Sequence, residues 1–326
     1  MHPEQLIQKQ LASATLWALM LSIFCISCQP TCCQLVPNIC YTPQPYAIER
    51  LPTHFAKLTS VEKTQDWGKE LQLGKAFAKE MDLYRALTCF KRALFLIPGQ
   101  YQERRLEIEY DIFFAYYIAN KYQEAVDAFE TSHLQQATEA FPAYQDLLIA
   151  LYDAYIKIGE DDKACRIMSL INESNEELAA NLSLETAISK ADFPTLYSTN
   201  TCETTNPEIN QFLCDYTSNA KSVTTAKTLN ALLPGAGYLY VGQKNSALTS
   251  FIINTLFIAA AYQLFDRGYI AGGIIVTSLE SGWYLGGING AGLEAQEYNR
   301  VLYEKLGRDV MAKNCLFPIL MIQKGF

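Results

Sequence analysis

The chain has 326 residues, half of them hydrophobic, with 26 basic and 34 acidic side chains and a formal net charge of −8. That balance excludes a nucleic-acid partner, because phosphate binding needs clustered Lys and Arg. With 17 Gly and 12 Pro the chain is neither collagen-like nor a low-complexity linker, and its length accommodates two domains and a sizeable core.

Residues 11–26 (LASATLWALMLSIFCI) carry no charge. The run is shorter than the roughly 20 residues a bilayer-spanning helix needs and fits the apolar core of an export signal over residues 1–27. Ser27-Cys28 closes it. A small residue before a cysteine at that place resembles the lipobox of bacterial lipoproteins, which implies lipidation of Cys28. Cys25 stands where that pattern usually has leucine; ordinary cleavage before Cys28 and an uncleaved anchor are the alternatives. Cysteine usage agrees with export. Cys28, Cys32, Cys33 and Cys40 crowd a Pro-rich stretch without the paired spacing of a zinc site, so residues 28–60 read as an extended tether and no metal is expected. Cys202 and Cys214 bracket a Thr/Asn-rich loop and are candidate disulfide partners in an oxidising compartment.

A repeat occupies residues 61–195. Ala86, Ala125 and Ala164 are 39 residues apart, as are Phe77, Tyr116 and Tyr155, and Phe90, Phe129 and Met168. Three columns sharing one period predict stacked helical hairpins. The first unit, with Leu73, Gly74, Phe77, Ala86, Phe90, Ala93 and Pro98, resembles the tetratricopeptide repeat. The second keeps Ile112, Tyr116, Ala125 and Phe129, and the third Leu151, Tyr155, Gly159, Ala164 and Met168. That family repeats every 34 residues or so, so about five extra residues extend each second helix or its connection. Residues 176–190 have helical composition and are expected to cap the stack. The resemblance implies a concave groove lined by the first helices and carries its facing positions to Lys75, Lys79, Tyr110, Phe114, Tyr117, Asp153 and Ile156. Tyr110, Phe114 and Tyr117 follow i, i+4, i+7 spacing, which suits either a core stripe or a peptide-binding one.

Residues 196–228 are polar and read as a linker, and residues 229–306 as a membrane-associated domain before a tail at 307–326. In 229–242 (LNALLPGAGYLYVG) the Pro-Gly-Ala-Gly core predicts a bent segment. Residues 246–265 carry no charge, and 269–288 carry only Glu280; each is long enough to span a bilayer, and the short turn at Asp266-Arg267-Gly268 makes them a hairpin. Gly282, Gly286 and Gly290, four apart, predict a face for close helix approach. Asn254 and Glu280 each lie 13 residues from Arg267, so an interhelical hydrogen bond between them is expected. Residues 290–306 read as an amphipathic helix at the interface. The whole stretch resembles a glycine-rich membrane domain (LPGAGxLYxGQ, a hairpin, then a helix containing Tyr298-Asn299) that trails helical repeats in some bacterial envelope proteins and has no established activity. Export would leave Lys and Arg flanking the hairpin outside the cytoplasm, against the positive-inside tendency.

No nucleophile elbow, zinc-protease motif or Walker loop occurs, and GAGYLYVG opens no dinucleotide unit. The expectation is therefore an all-α, non-enzymatic chain: a tetratricopeptide-like helical-hairpin solenoid followed by a helical membrane hairpin. It needs no cofactor and no small-molecule substrate, and binds a protein or peptide partner at a membrane of the bacterial cell envelope. The alternative is a membrane component that assists transport or membrane-protein insertion through the hairpin.

Overall fold

Among the residues that a computed structural model describes, 35–39, 41, 51–199 and 207–326, helix follows helix from Ser60 to Met321. The expected signal, Cys28 and Cys202 lie outside the described residues. Residues 36–326 form one compact unit.

The first helix among the described residues, α1 (Ser60–Thr64), opens on a reciprocal capping box. Thr59 Oγ1 accepts from the Glu62 N–H (3.3 Å) and Glu62 Oε2 accepts from the Thr59 N–H (2.7 Å). Three hairpins follow: α2 (Asp66–Lys79) with α3 (Leu83–Leu96), α4 (Gln102–Ile118) with α5 (Tyr122–Glu130), and α6 (Tyr144–Ile158) with α7 (Asp161–Ser174). Helix α8 (Glu176–Ser189), capped by Asn175 on the Leu178 N–H (3.0 Å), closes the stack where the cap was expected.

The 39-residue period is a period of turns. Each first helix ends on one left-handed residue, Met81 (φ 60°), Asn120 (57°) and Gly159 (81°). The following N–H then bonds back five residues: Asp82 to Phe77 O (2.9 Å), Lys121 to Tyr116 O (3.0 Å) and Glu160 to Tyr155 O (2.9 Å). The alanine column is buried throughout, so the paired helices approach closely there. A Cβ on Gly74 would lie 2.6 Å from the Phe90 ring, which fixes glycine in the first hairpin. In the aromatic column Phe77 and Tyr116 are half-buried and Tyr155 is buried, and a cation stands beside each ring. Arg85 lies 5.3 Å from the Phe77 ring centroid, Lys91 5.1 Å from that of Tyr116, and Lys163 5.5 Å from that of Tyr155.

The stretch read as a linker is largely helical: α9 (Phe193–Thr199), α10 (Pro207–Asn219) and α11 (Val223–Leu232). Its Thr/Asn composition hides an apolar triplet, Ile209, Phe212 and Leu213, whose i, i+3, i+4 spacing buries one face of α10. Pro234-Gly235 then bends the chain into α12 (Ala236–Val241), as the sequence predicts. The turn is held by Asn230 Oδ1, which accepts from the Gly235 N–H (2.9 Å).

Helix α13 (Lys244–Asp266) and helix α14 (Ile270–Lys313) make the hairpin. Residues 290–306 are not a separate interfacial helix. They continue α14, which runs 44 residues, about 66 Å at 1.5 Å per residue. Its C-terminal half docks on the rest of the chain: Tyr303 is fully buried, donates to Ile188 O (2.9 Å), and is ringed by Phe193, Phe212 and Tyr216. A four-residue helix, α15 (Pro318–Met321), and an extended tail end the chain.

Candidate functional site: a filled groove and an apolar hairpin

Between Glu107 and Ala115, and again between Asp146 and Tyr155, every residue of α4 and α6 is buried. A helix lining an open groove keeps one face wet; these two do not, because the chain covers them itself. Leu51, Phe55 and Leu58 pack on the repeat core from one side, and Ile319, Met321, Ile322 and Phe326 from the tail. Phe326 lies 5.1 Å from Phe114 and 6.1 Å from Phe90, ring to ring. The tail is also held through its backbone. Asp146 accepts from the N–H groups of Gln323 (3.3 Å) and Lys324 (3.1 Å), while Gly325 N–H donates to Pro52 O (3.0 Å) and pairs with Thr53.

The expected groove residues distribute accordingly. Tyr110 and Phe114 are fully buried, and Tyr110 sits among His54, Phe55, Phe114 and Phe141. In this conformation neither ring is open to a partner. Lys75 is half-buried, 5.2 Å from the Phe55 centroid, and bridges Glu107 (2.5 Å) and Asp111 (3.6 Å). Burial, opposed by the Lys75 charge, pushes Asp111 up to about 7. Ile156 packs partly buried on the core, and Lys79 is exposed.

Tyr117 and Asp153 meet directly, Tyr117 Oη donating to Asp153 Oδ2 (2.8 Å). They line a cavity of about 320 Å³ with Glu185, Lys157, Asn38 and Phe317. Glu185 accepts from Ser189 (2.7 Å) and Thr186 (3.3 Å). Burial, reinforced by the Asp153 charge, pushes Glu185 up to about 7, and burial raises Asp153 as well. Sequence reasoning missed Asp146, His54, Glu107 and Glu185. The visible signal was an acid on an otherwise apolar helix face, which requires a partner once buried.

The hairpin presents the second candidate surface. Helix α13 is long and apolar enough to cross a bilayer, with only 17% of its apolar window buried. Large side chains point outward on both helices, among them Leu248, Leu256, Tyr262, Ile275, Leu279 and Trp283.

Two expectations about its interior are corrected. Gly282 and Gly286 face open space, and Gly290 faces the Tyr238 ring. The close approach of α13 and α14 falls instead at Gly273, against Phe265, and at Gly287, where a Cβ would lie 3.9 Å from Ser250 Oγ. Asn254 and Glu280 do not bond each other. Asn254 Nδ2 donates within its own helix to Ser250 O (2.6 Å), leaving Asn254 Oδ1 and both Glu280 carboxyl oxygens buried without a protein donor.

The conspicuous residues of the glycine-rich stretch have structural partners. Asn299 exchanges two hydrogen bonds with the Lys221 backbone (2.7 and 2.8 Å), and Gln243 donates to Glu294 (3.2 Å). A Cβ on Gly237 would fall on the Ala226 carbonyl and 2.8 Å from Ala291 Cβ. Cys214 is a free, exposed thiol, and no group of three or more metal-ligating side chains occurs among the described residues. Searched against protein-family models, curated proteins and solved structures, the chain matches none of them.

Proposed function

We propose that the chain is a membrane-tethered interaction scaffold of the bacterial cell envelope, in which hairpins of tetratricopeptide type bind a protein partner and α13–α14 hold them at a bilayer. The observation that carries this reading is the outward apolar surface of the hairpin, from Leu248 through Trp283. In water such a patch is a liability, and it is covered at no cost by lipid. The uncharged, signal-like run at residues 11–26 supports the envelope assignment. The repeats supply stacked helices and no assembled catalytic group, which suits recognition rather than chemistry.

The test is crosslinking in native membranes followed by mass spectrometry. One recurring partner joined to the exposed lysines of the repeats, such as Lys79 and Lys157, supports the scaffold. Crosslinks only within the chain contradict it. A second reading, in which the hairpin itself assists transport or membrane-protein insertion, draws on the unpaired oxygens of Asn254 and Glu280.

A further inference from the structure

We propose that the concave face of the repeats is a peptide-binding site whose resident occupant is the chain's own tail, residues 317–326. It exchanges that tail for an extended segment of a partner protein carrying an aliphatic residue and, four positions on, an aromatic one. The inference rests on the scaffold reading and names its ligand.

The tail is held in the manner of a ligand. Three of its anchors use only backbone: the N–H groups of Gln323 and Lys324 on Asp146, and that of Gly325 on Pro52 O. Any extended segment brings the same donors. Of the four tail side chains that pack on the repeats, Ile322 and Phe326 are the most deeply buried, both 4% exposed, and provide the selectivity, whereas Gln323 between them is exposed. Phe326 stacks on Phe90 and packs tilted against Phe114.

The site survives loss of its occupant. Asp146 also bonds His54 Nε2 (2.7 Å), so a departing tail does not orphan the buried carboxylate. The stacked hairpins pack on one another through their own helices, α3 on α4 and α5 on α6, and the tail adds Ile322 and Phe326 to the core they share. A natural break stands at its root, since Cys315 holds a left-handed φ of 52° immediately before the segment leaves α14. Removing the tail would uncover Phe114 beside Tyr110 and Tyr117, the helical stripe at i, i+4, i+7.

Hydrogen exchange on the full chain in detergent or nanodiscs is the first measurement. The amides of Gln323, Lys324 and Gly325 should exchange by local opening at least about 100-fold faster than those of Phe113 and Ile149. If they exchange only together with the helices, the tail is an inseparable part of the core and the proposal falls. The second measurement uses a fluorescent peptide of sequence FPILMIQKGF. A Phe326→Ala chain should bind it about 10-fold more tightly than the unsubstituted chain, and a peptide with its last Phe replaced by Ala should not bind. Absence of binding to a Phe326→Ala chain with unchanged helicity overturns the proposal; if that variant does not fold, the exchange rates of the unsubstituted chain decide. Peptide exchange without any partner crosslinked in membranes leaves the site standing and removes the scaffold. A recurring partner with an immobile tail does the reverse.

Discussion

Ala191 occupies a left-handed turn at φ 51°, the equivalent of Gly159 in the hairpin before it. A non-glycine residue there is disfavoured by roughly 1–2 kcal/mol, part of which glycine gives back through its freer unfolded chain. Ala191→Gly should therefore raise stability by about 0.5–1 kcal/mol, read from denaturant midpoints. A loss instead would show that the Ala191 methyl packs more than it strains.

Glu185 makes a pH prediction. Its carboxyl, at 4.5 when unfolded, is lifted to about 7 in the fold. Between those values the native chain holds a proton that the unfolded chain has released, so stability falls as pH rises through the window. The full effect is on the order of 3 kcal/mol at ~1.4 kcal/mol per unit. Thermal unfolding of Glu185→Gln between pH 4.5 and 7.5 should show a visibly shallower decline than the unsubstituted chain. Equal slopes would contradict the assignment. Asp111 moves in the same direction and keeps part of the slope in both proteins.

At the scale of elements, much was legible. The 39-residue period located all three hairpins because close helix approach and the αL turn impose themselves at the same offset in every unit. The cap helix was expected at residues 176–190 and runs Glu176–Ser189; the first apolar run was expected at 246–265 and lies in Lys244–Asp266.

What failed was long-range. Nothing local in Tyr110, Phe114 and Tyr117 tells that Phe55 and Phe141 cover the first and Phe326 the second, since their spacing is the same on an open or a filled face. The glycine spacing at 282, 286 and 290 likewise predicts closeness without naming a neighbour. Substitutions separate the two outcomes. Gly286→Leu should leave helix packing within about 0.5 kcal/mol, because open space receives the side chain, whereas Gly290→Leu should disrupt it against Tyr238. Glu280→Gln should hold or raise the melting temperature in detergent, since an amide replaces a buried carboxyl that no protein donor satisfies. A fall of several degrees for Glu280→Gln would mean that the carboxyl has a partner the fold does not reveal.

For the whole molecule, α14 is the element that couples the two candidate surfaces. Its first half lines the apolar hairpin, and its second half inserts Tyr303 under Ile188 at the capped end of the repeats. From its end the tail returns to the repeat core at Phe114. The repeats and the apolar hairpin thus belong to one compact unit from residue 36 onward, and a change at either surface has a continuous helix through which to act.

Membrane attachment through α13–α14 is the central claim. It is tested most directly by expressing a chain that begins at Val36, so that the run at residues 11–26 cannot anchor it, and washing the membranes with alkaline carbonate. The account predicts that this chain stays in the membrane pellet and is released only by detergent. A chain recovered soluble and monodisperse without detergent would contradict it.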